Sequence, residues 1–323
     1  MDMQESIKGF AKQFEWEPKV ENEAKLKKFS KFIVVGMGGS NLVAELLKIR
    51  NPELDIVSHR GYGLPSISKK VLKQSLIIVS SYSGNTEETL DSFKVALKNK
   101  LSVAVISAGG KLLDLARKNK KPHIEFPRIG IQPRSAIGYS VMAVTRLIGD
   151  KNLFKELAEL SKLLKSYEFE RAGITLAKKL KGHTPIICSS LKNFPIAYNW
   201  KIKLNETGKI PAFINYFPEL NHNEMTGYDV KDSTREISRN YCFVFLKDMS
   251  DNPRIMKRMN VTERLYRERN FPVEVAMING TSPLHKIFSS ILLADWTSYY
   301  IAKEYNTDPD QVPMVEEFKR LIK

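Results

Sequence analysis

The sequence predicts an α/β fold of two stacked αβα domains, each with a mainly parallel sheet flanked by helices. Three observations predict it. Apolar, β-branched runs of strand length recur and mostly lack alternation, which is how strands buried on both faces of a parallel sheet read. The stretches between them are amphipathic at helical spacing. At 323 residues, 42% of them hydrophobic, the chain is long enough for two packed cores.

In chain order, the first strands are expected at Phe32–Val35, Leu54–Val57, Leu76–Ser80 and Val103–Ile106. Between them Leu42–Ile49 and Thr86–Leu97 read as helices, the second with Leu90, Phe93 and Leu97 on one side. From about Arg134 to Tyr167 the chain is helical without a strand candidate, and Gly149-Asp150 interrupts it. The domain boundary is expected there, dividing the chain into residues 1–150 and 151–323. A second series of strands runs Pro185–Ser189, Tyr241–Leu246 and Val273–Ile278, with helices at Pro253–Arg267 and Leu284–Lys303. The chain closes with Val312–Lys323, where Met314, Val315, Phe318, Leu321 and Ile322 form one apolar stripe.

Lys and Arg number 51 against 36 Asp and Glu, giving a net charge of +15 that concentrates anionic ligands of any kind. The basic residues are scattered and accompany no zinc-finger or RNA-binding signature, so nucleic acid is not the expected partner. Cys188 and Cys242 are the only cysteines and form no C-x-x-C pair, which excludes a disulfide framework and fits a reducing cytoplasm. Met1–Phe14 carries Asp2, Glu5, Lys8 and Lys12 in place of a signal-peptide core. With no apolar run of about 18 residues elsewhere, a soluble chain with no membrane partner is expected.

Gly36-Met37-Gly38-Gly39-Ser40 follows the first strand and opens a helix. Glycines there let the backbone approach an anion, and the helix N-terminus supplies free N–H groups and a positive dipole end. A dinucleotide site uses the same junction. Its third glycine is missing, since Asn41 stands there, and Asp55 lies near the start of the second strand, where that site wants an acid at the end. Ser81-Tyr82-Ser83-Gly84-Asn85-Thr86 sits at another strand-to-helix junction, with three hydroxyls suited to a phosphate dianion. A helix cap explains Thr86 alone; it does not explain the whole run. The strand, S-x-S-G-x-T, helix arrangement resembles the sugar isomerase (SIS) domain. The resemblance implies that Ser40, Ser81, Ser83 and Thr86, with the backbone at Gly38 and Gly39, hold a sugar phosphate.

In the second half, Asn205-Glu206-Thr207-Gly208-Lys209-Ile210-Pro211-Ala212 places a glutamate where a helix should end. On these residues alone an exposed glutamate is the plainer explanation. Pro218-Glu219-Leu220-Asn221-His222-Asn223-Glu224 then sets a histidine between amides and acids with little apolar periodicity, which reads as an active-site loop. His59, His123, His183 and His285 are expected to be structural or superficial.

Together, N-E-x-x-K-x-P-A and P-E-L-N-H-N-E resemble the archaeal and bacterial bifunctional phosphoglucose/phosphomannose isomerases over nearly the whole chain. That resemblance implies an aldose–ketose isomerase linking glucose 6-phosphate, and mannose 6-phosphate, to fructose 6-phosphate through a cis-enediol, without cofactor or metal. It assigns Glu206 as the base at C2 and His222 as the ring-opening residue, reaching the site from the partner of a homodimer. Arg134, in Gln132-Pro133-Arg134-Ser135, matches the family's enediolate-stabilising cation. Lys319 matches its terminal lysine; it lies about 100° from the centre of the apolar stripe, at its border. A phosphosugar sensor of the same fold would need a DNA-binding head, for which the roughly 30 residues before the first strand are too few. An isomerase of an amino-sugar phosphate stays open as the alternative.

Overall fold

The computed structural model describes residues 1–322, which form two compact units. The first comprises Met1 and Lys8–Leu164. Its sheet contains β1 (Lys31–Val35), β2 (Ile56–His59), β3 (Ser75–Ser80), β4 (Val103–Ser107) and β5 (His123–Glu125), all parallel in the order β2-β1-β3-β4-β5. The lack of alternation has a direct cause: every residue of β3 and β4 is buried, because helices cover both faces. On one face Ile33, Val35, Ile77, Val79, Val103 and Val105 pack with Phe93 and Ala96 of the helix Glu87–Lys98 and Leu112 and Ala116 of the helix Gly110–Lys118. The helices Gly39–Arg50 and Ile137–Ile148 pack against each other, and the second is almost wholly buried.

Gly149 ends that helix, and Asp150 caps the next, Lys151–Leu163, accepting from the Leu153 amide at 3.0 Å. This later helix packs on residues 10–15 and belongs to the first unit, so the compact units divide at Leu164–Lys165, fourteen residues beyond the 150–151 break. The three-residue β5 has no counterpart among the expected strands. It is an edge strand, and its His123 also bridges Glu21 in antiparallel fashion.

The second unit comprises Asp2–Ile7 and Lys165–Lys323, of which residues up to 322 are described. Its strands are β6 (Thr184–Ser190), β7 (Phe213–Phe217), β8 (Tyr241–Lys247) and β9 (Val273–Met277), parallel in the order β7-β6-β8-β9. Ile186, Cys188, Phe243, Phe245 and Val273 meet Phe217, Met259, Tyr266 and Phe271 in its core. The edge strand β7 was not among the expected strands; only its last residue is buried. The helices Ser166–Leu180 and Pro283–Glu304 pack together, and Trp296 Nε1 donates to the Ser166 carbonyl at 2.8 Å. The closing helix Pro313–Leu321 carries the expected apolar stripe uncovered by its own unit: Met314 is 81% exposed and Phe318 59%. Among the described residues no helix is long and apolar enough to cross a membrane.

Candidate functional site

In the first unit the chain leaves β1 and β3 in opposite directions along the sheet, toward β2 and β4 respectively. Such a switch point opens a crevice at the carboxyl ends of the strands, and both glycine- and serine-bearing loops sit on it. Gly38 precedes the helix that starts at Gly39, and Ser40 is half-buried in its first turn. Across the crevice Ser81 Oγ and Thr86 Oγ1 lie 2.9 Å apart, and the Gly84 amide donates to Ser81 Oγ at 3.1 Å. Thr86 occupies the N-cap of the helix Glu87–Lys98, yet its side chain makes no capping bond. Its hydroxyl is turned to the serine loop. Ser83 is exposed, its Oγ accepting from the Asn85 amide at 3.3 Å. Gly84 is obligatory here: φ is +68°, and a Cβ would meet the Gly109 carbonyl at 1.8 Å.

Asn41 is wholly buried, with Nδ2 donating to the carbonyls of Val34 at 3.0 Å and His59 at 2.9 Å, and Oδ1 accepting from Arg60 Nε at 2.8 Å. The residue that departs from the dinucleotide pattern thus ties two strand ends together. Arg134, 4% exposed, lies in the turn Pro133–Ser135, which follows β5 on the same edge and abuts the helix Gly39–Arg50. Gln13 fixes that turn, donating to the Ser135 carbonyl at 2.7 Å and accepting from the Tyr139 amide at 3.1 Å.

In the second unit Glu206 is the last residue of the helix Phe194–Glu206 and is half-buried. Gly208 lets the chain turn tightly beneath it, since a Cβ there would meet the Leu204 carbonyl at 2.7 Å. Lys209 Nζ donates to the Glu206 carbonyl at 2.5 Å and to the Gln311 carbonyl, drawing the root of the closing helix to the same place. On that exposed helix Lys319 pairs with Glu316 at 2.6 Å.

His222 is exposed in the segment after β7. Because the helix Phe194–Glu206 runs back from β6 to the start of β7, Glu206 lies at the edge where the strands begin, and His222 at the edge where they end. A five-residue strand spans roughly 16 Å, so within one chain these two side chains do not meet. The other histidines have local partners: His59 contacts the Tyr62 carbonyl, His123 and His183 contact backbone two residues away, and His285 accepts from the Thr281 amide.

Two clusters carried no sequence signal. At the second unit's own switch point, between β6 and β8, Asp248 receives Lys192 at 3.0 Å and Lys286 at 2.8 Å, and Asp251 receives Lys192 at 2.8 Å. One turn before Glu206, Lys203 pairs with Asp295 at 2.5 Å in full burial. Among the described residues no cluster of His, Cys, Asp or Glu is arranged to hold a metal ion.

Parallel sheets flanked by helices, with hydroxyls and amides converging at a switch point, define an α/β protein with a crevice of anion-binding chemistry, and solved structures share the fold. The C-terminal domain of glucosamine-fructose-6-phosphate aminotransferase from Francisella tularensis matches with a TM-score of 0.72 at 14% identity, over 96% of each chain. Residues 169–322 match the family model of the bacterial phospho-glucose isomerase C-terminal SIS domain. The bifunctional phosphoglucose/phosphomannose isomerase of Aquifex aeolicus is 30% identical over 98% of this chain and 97% of its own, and that of Thermoplasma volcanium 34% over 92% and 93%. The chain belongs to the bifunctional phosphoglucose/phosphomannose isomerase family.

Proposed function

We propose that the chain interconverts glucose 6-phosphate and mannose 6-phosphate with fructose 6-phosphate through a cis-enediol, as a homodimer in the cytoplasm, with its sugar phosphates and a second copy as its partners. Neither nucleic acid nor membrane has a part in this reading. The observation that carries it, in a chain of this family, is the uncharged cradle of Ser81, Thr86, Ser40 and the amides at Gly38 and Gly39 at a switch-point crevice. Such donors grip a phosphate dianion and leave the sugar free to react.

In the proposed mechanism His222 and Lys319 exchange the two protons that ring opening moves, one onto the ring oxygen and one off the anomeric hydroxyl. The Glu206 carboxylate removes the C2 proton, Arg134 stabilises the negative charge on the enediolate oxygens, and Glu206 returns the proton to C1. The C2 epimers share this enediol, so one base serves both. The separation of Glu206 and His222 along β7 supports a site completed by a second copy's histidine, and the uncovered stripe of Met314, Phe318 and Leu321 supports association. Free, buried Cys188 and Cys242 fit a reducing compartment.

The test is a coupled assay of metal-free protein, following fructose 6-phosphate from each aldose phosphate separately. Turnover of both is expected. Turnover of one restricts the assignment to that epimer, and turnover of neither by folded protein overturns it. For the dimer, inactive H222A and inactive E206Q protomers mixed together should regain activity if each site takes its histidine from the other copy.

A further inference from the structure

The segment bearing His222 is held at two points, one on either side of it. Before it, Asn221 Nδ2 donates to Thr262 Oγ1 at 2.8 Å on the helix Pro253–Glu268, and Arg258 donates to Asn221 Oδ1 at 3.4 Å. After it, Asn215 Nδ2 on β7 donates to Glu224 Oε2. Between the two, Asn223 Oδ1 accepts from the Glu224 amide at 2.6 Å and its Nδ2 donates to Glu219 at 2.9 Å.

Glu224 is an unusual anchor. Its Oε1 is buried with no hydrogen-bond partner among the described residues, and so is the Tyr266 hydroxyl. Its charge bears on three ionisable groups, Cys188 of β6, Tyr266 of the helix Pro253–Glu268 and Tyr228 of its own segment. Burial pushes the ionisation of all three upward, so each keeps its proton at ordinary pH and none offers a compensating positive charge. A buried carboxylate with a single donor costs more than the neutral acid, which carries no charge to desolvate.

We propose that Glu224, through its hydrogen bond from Asn215, is a positioning residue that fixes the His222 segment on β7. The catalytic part of this inference rests on the reading of His222 as the ring-opening residue. Burial raises the Glu224 carboxyl above its ordinary 4.5, with the Asn215 hydrogen bond opposing. A carboxyl raised on folding contributes fully below its ordinary value and loses its contribution as pH climbs through the raised one. The anchor therefore loosens on the alkaline side.

Glu224→Gln keeps the shape and the Asn215 contact and cannot ionise. Hydrogen exchange of residues 218–228, corrected for intrinsic rate, and kcat and KM for isomerisation are measured for both proteins between about pH 5 and 9. The wild type should lose protection and kcat over one pH range, with KM changed less than about twofold, while Glu224→Gln keeps its protection level and lacks the part of the kcat loss that accompanies it. Glu224→Ala should lose about tenfold or more in kcat relative to the wild type at the acid end of the range, and adding Asn215→Ala should cost nothing further. The proposal is overturned if Glu224→Gln keeps the wild-type pH dependence of protection, or if it is unfolded or unprotected where the wild type is protected. Protection that follows pH without a change in kcat upholds the anchor and removes His222 from ring opening.

Discussion

Replacing Lys203 by methionine tests how the helix that ends at Glu206 is held. Lys203 and Asp295 pair at 2.5 Å, with side-chain exposures of 0% and 3%. Two charges so deep in the second unit gain little over an apolar pair, yet removing one takes a counter-charge from the buried other, at a cost of about 3–5 kcal/mol. At about 2–4 °C per kcal/mol, the second unit's melting temperature should fall by roughly 6–20 °C. The reporters are built in: Trp200 lies one turn before Lys203 and Trp296 next to Asp295, both wholly buried. Urea unfolding followed by tryptophan fluorescence reads the loss. Lys203→Met with Asp295→Leu should be more stable than Lys203→Met alone, recovering at least about 2 kcal/mol. A single variant that loses less than about 1 kcal/mol, or a double variant whose loss equals the sum of the singles, would refute the pairing as the tie beneath Glu206.

Further outcomes follow from the remaining sites. Glu206→Gln should lower kcat by about 10²–10⁴ with KM little changed, as removal of a general base does, and near-normal turnover would remove Glu206 from that role. Ser81→Ala should raise KM for sugar phosphates about 10- to 150-fold, the worth of one hydrogen bond to a charged group, and titration with inorganic phosphate checks this independently of turnover. For Asp248, burial alone would raise the carboxyl, but Lys286, the Ser250 amide and Lys192 overcome it and hold it below its ordinary 3.8. A depressed carboxyl contributes stability above its unfolded value and loses it as pH falls through the folded one, so the second unit should weaken progressively below about pH 4. Asp248→Asn should be less stable at neutral pH and should flatten that acid dependence, read by urea midpoints at several pH values.

The strands buried on both faces were legible because burial writes itself as unbroken apolar runs, as in Leu76–Ser80 and Val103–Ile106. Of the four edge strands, β2 and β9 were legible too, whereas β5 and β7 write nothing so plain. β7 leaves Phe213 52% exposed and carries Asn215 in its middle, and β5 is three residues long. Missing β7 had a consequence beyond secondary structure, because only that strand reveals that Glu206 and His222 stand at opposite edges of one sheet. The candidate loops were readable from strand–turn–helix context and from the glycine and proline after Glu206. Lys203 was not, since a lysine in Trp200-Lys201-Ile202-Lys203-Leu204 reads as another surface charge until the helix Pro283–Glu304 buries it against Asp295. The helix Lys151–Leu163 is amphipathic enough to pack on either half, and only its partners at residues 10–15 assign it to the first.

The two units share a topology and treat its switch point in opposite ways. In the first, the loops after β1 and β3 bring Gly38, Gly39, Ser40, Ser81 and Thr86 to the crevice, which there presents hydroxyls and amides with no charge of their own. An incoming dianion meets donors already oriented and displaces no internal counter-ion. In the second, β6 and β8 end in Lys192, Asn193, Asp248 and Asp251, and the carboxylates there already hold Lys192, Lys286 and the Asn193 amide at 2.8–3.3 Å. A phosphate entering that crevice would have to break these pairs and would face two buried negative charges, a like-charge contact that disfavours it wherever the groups stay ionised. The Asp248 carboxyl, held below its ordinary value, stays ionised across the neutral range. On the proposed reading, the anion-binding property of the fold is therefore open to a ligand in the first unit. In the second it is spent internally, bracing the loops that open the helices Phe194–Glu206 and Pro253–Glu268, the first of which ends at Glu206.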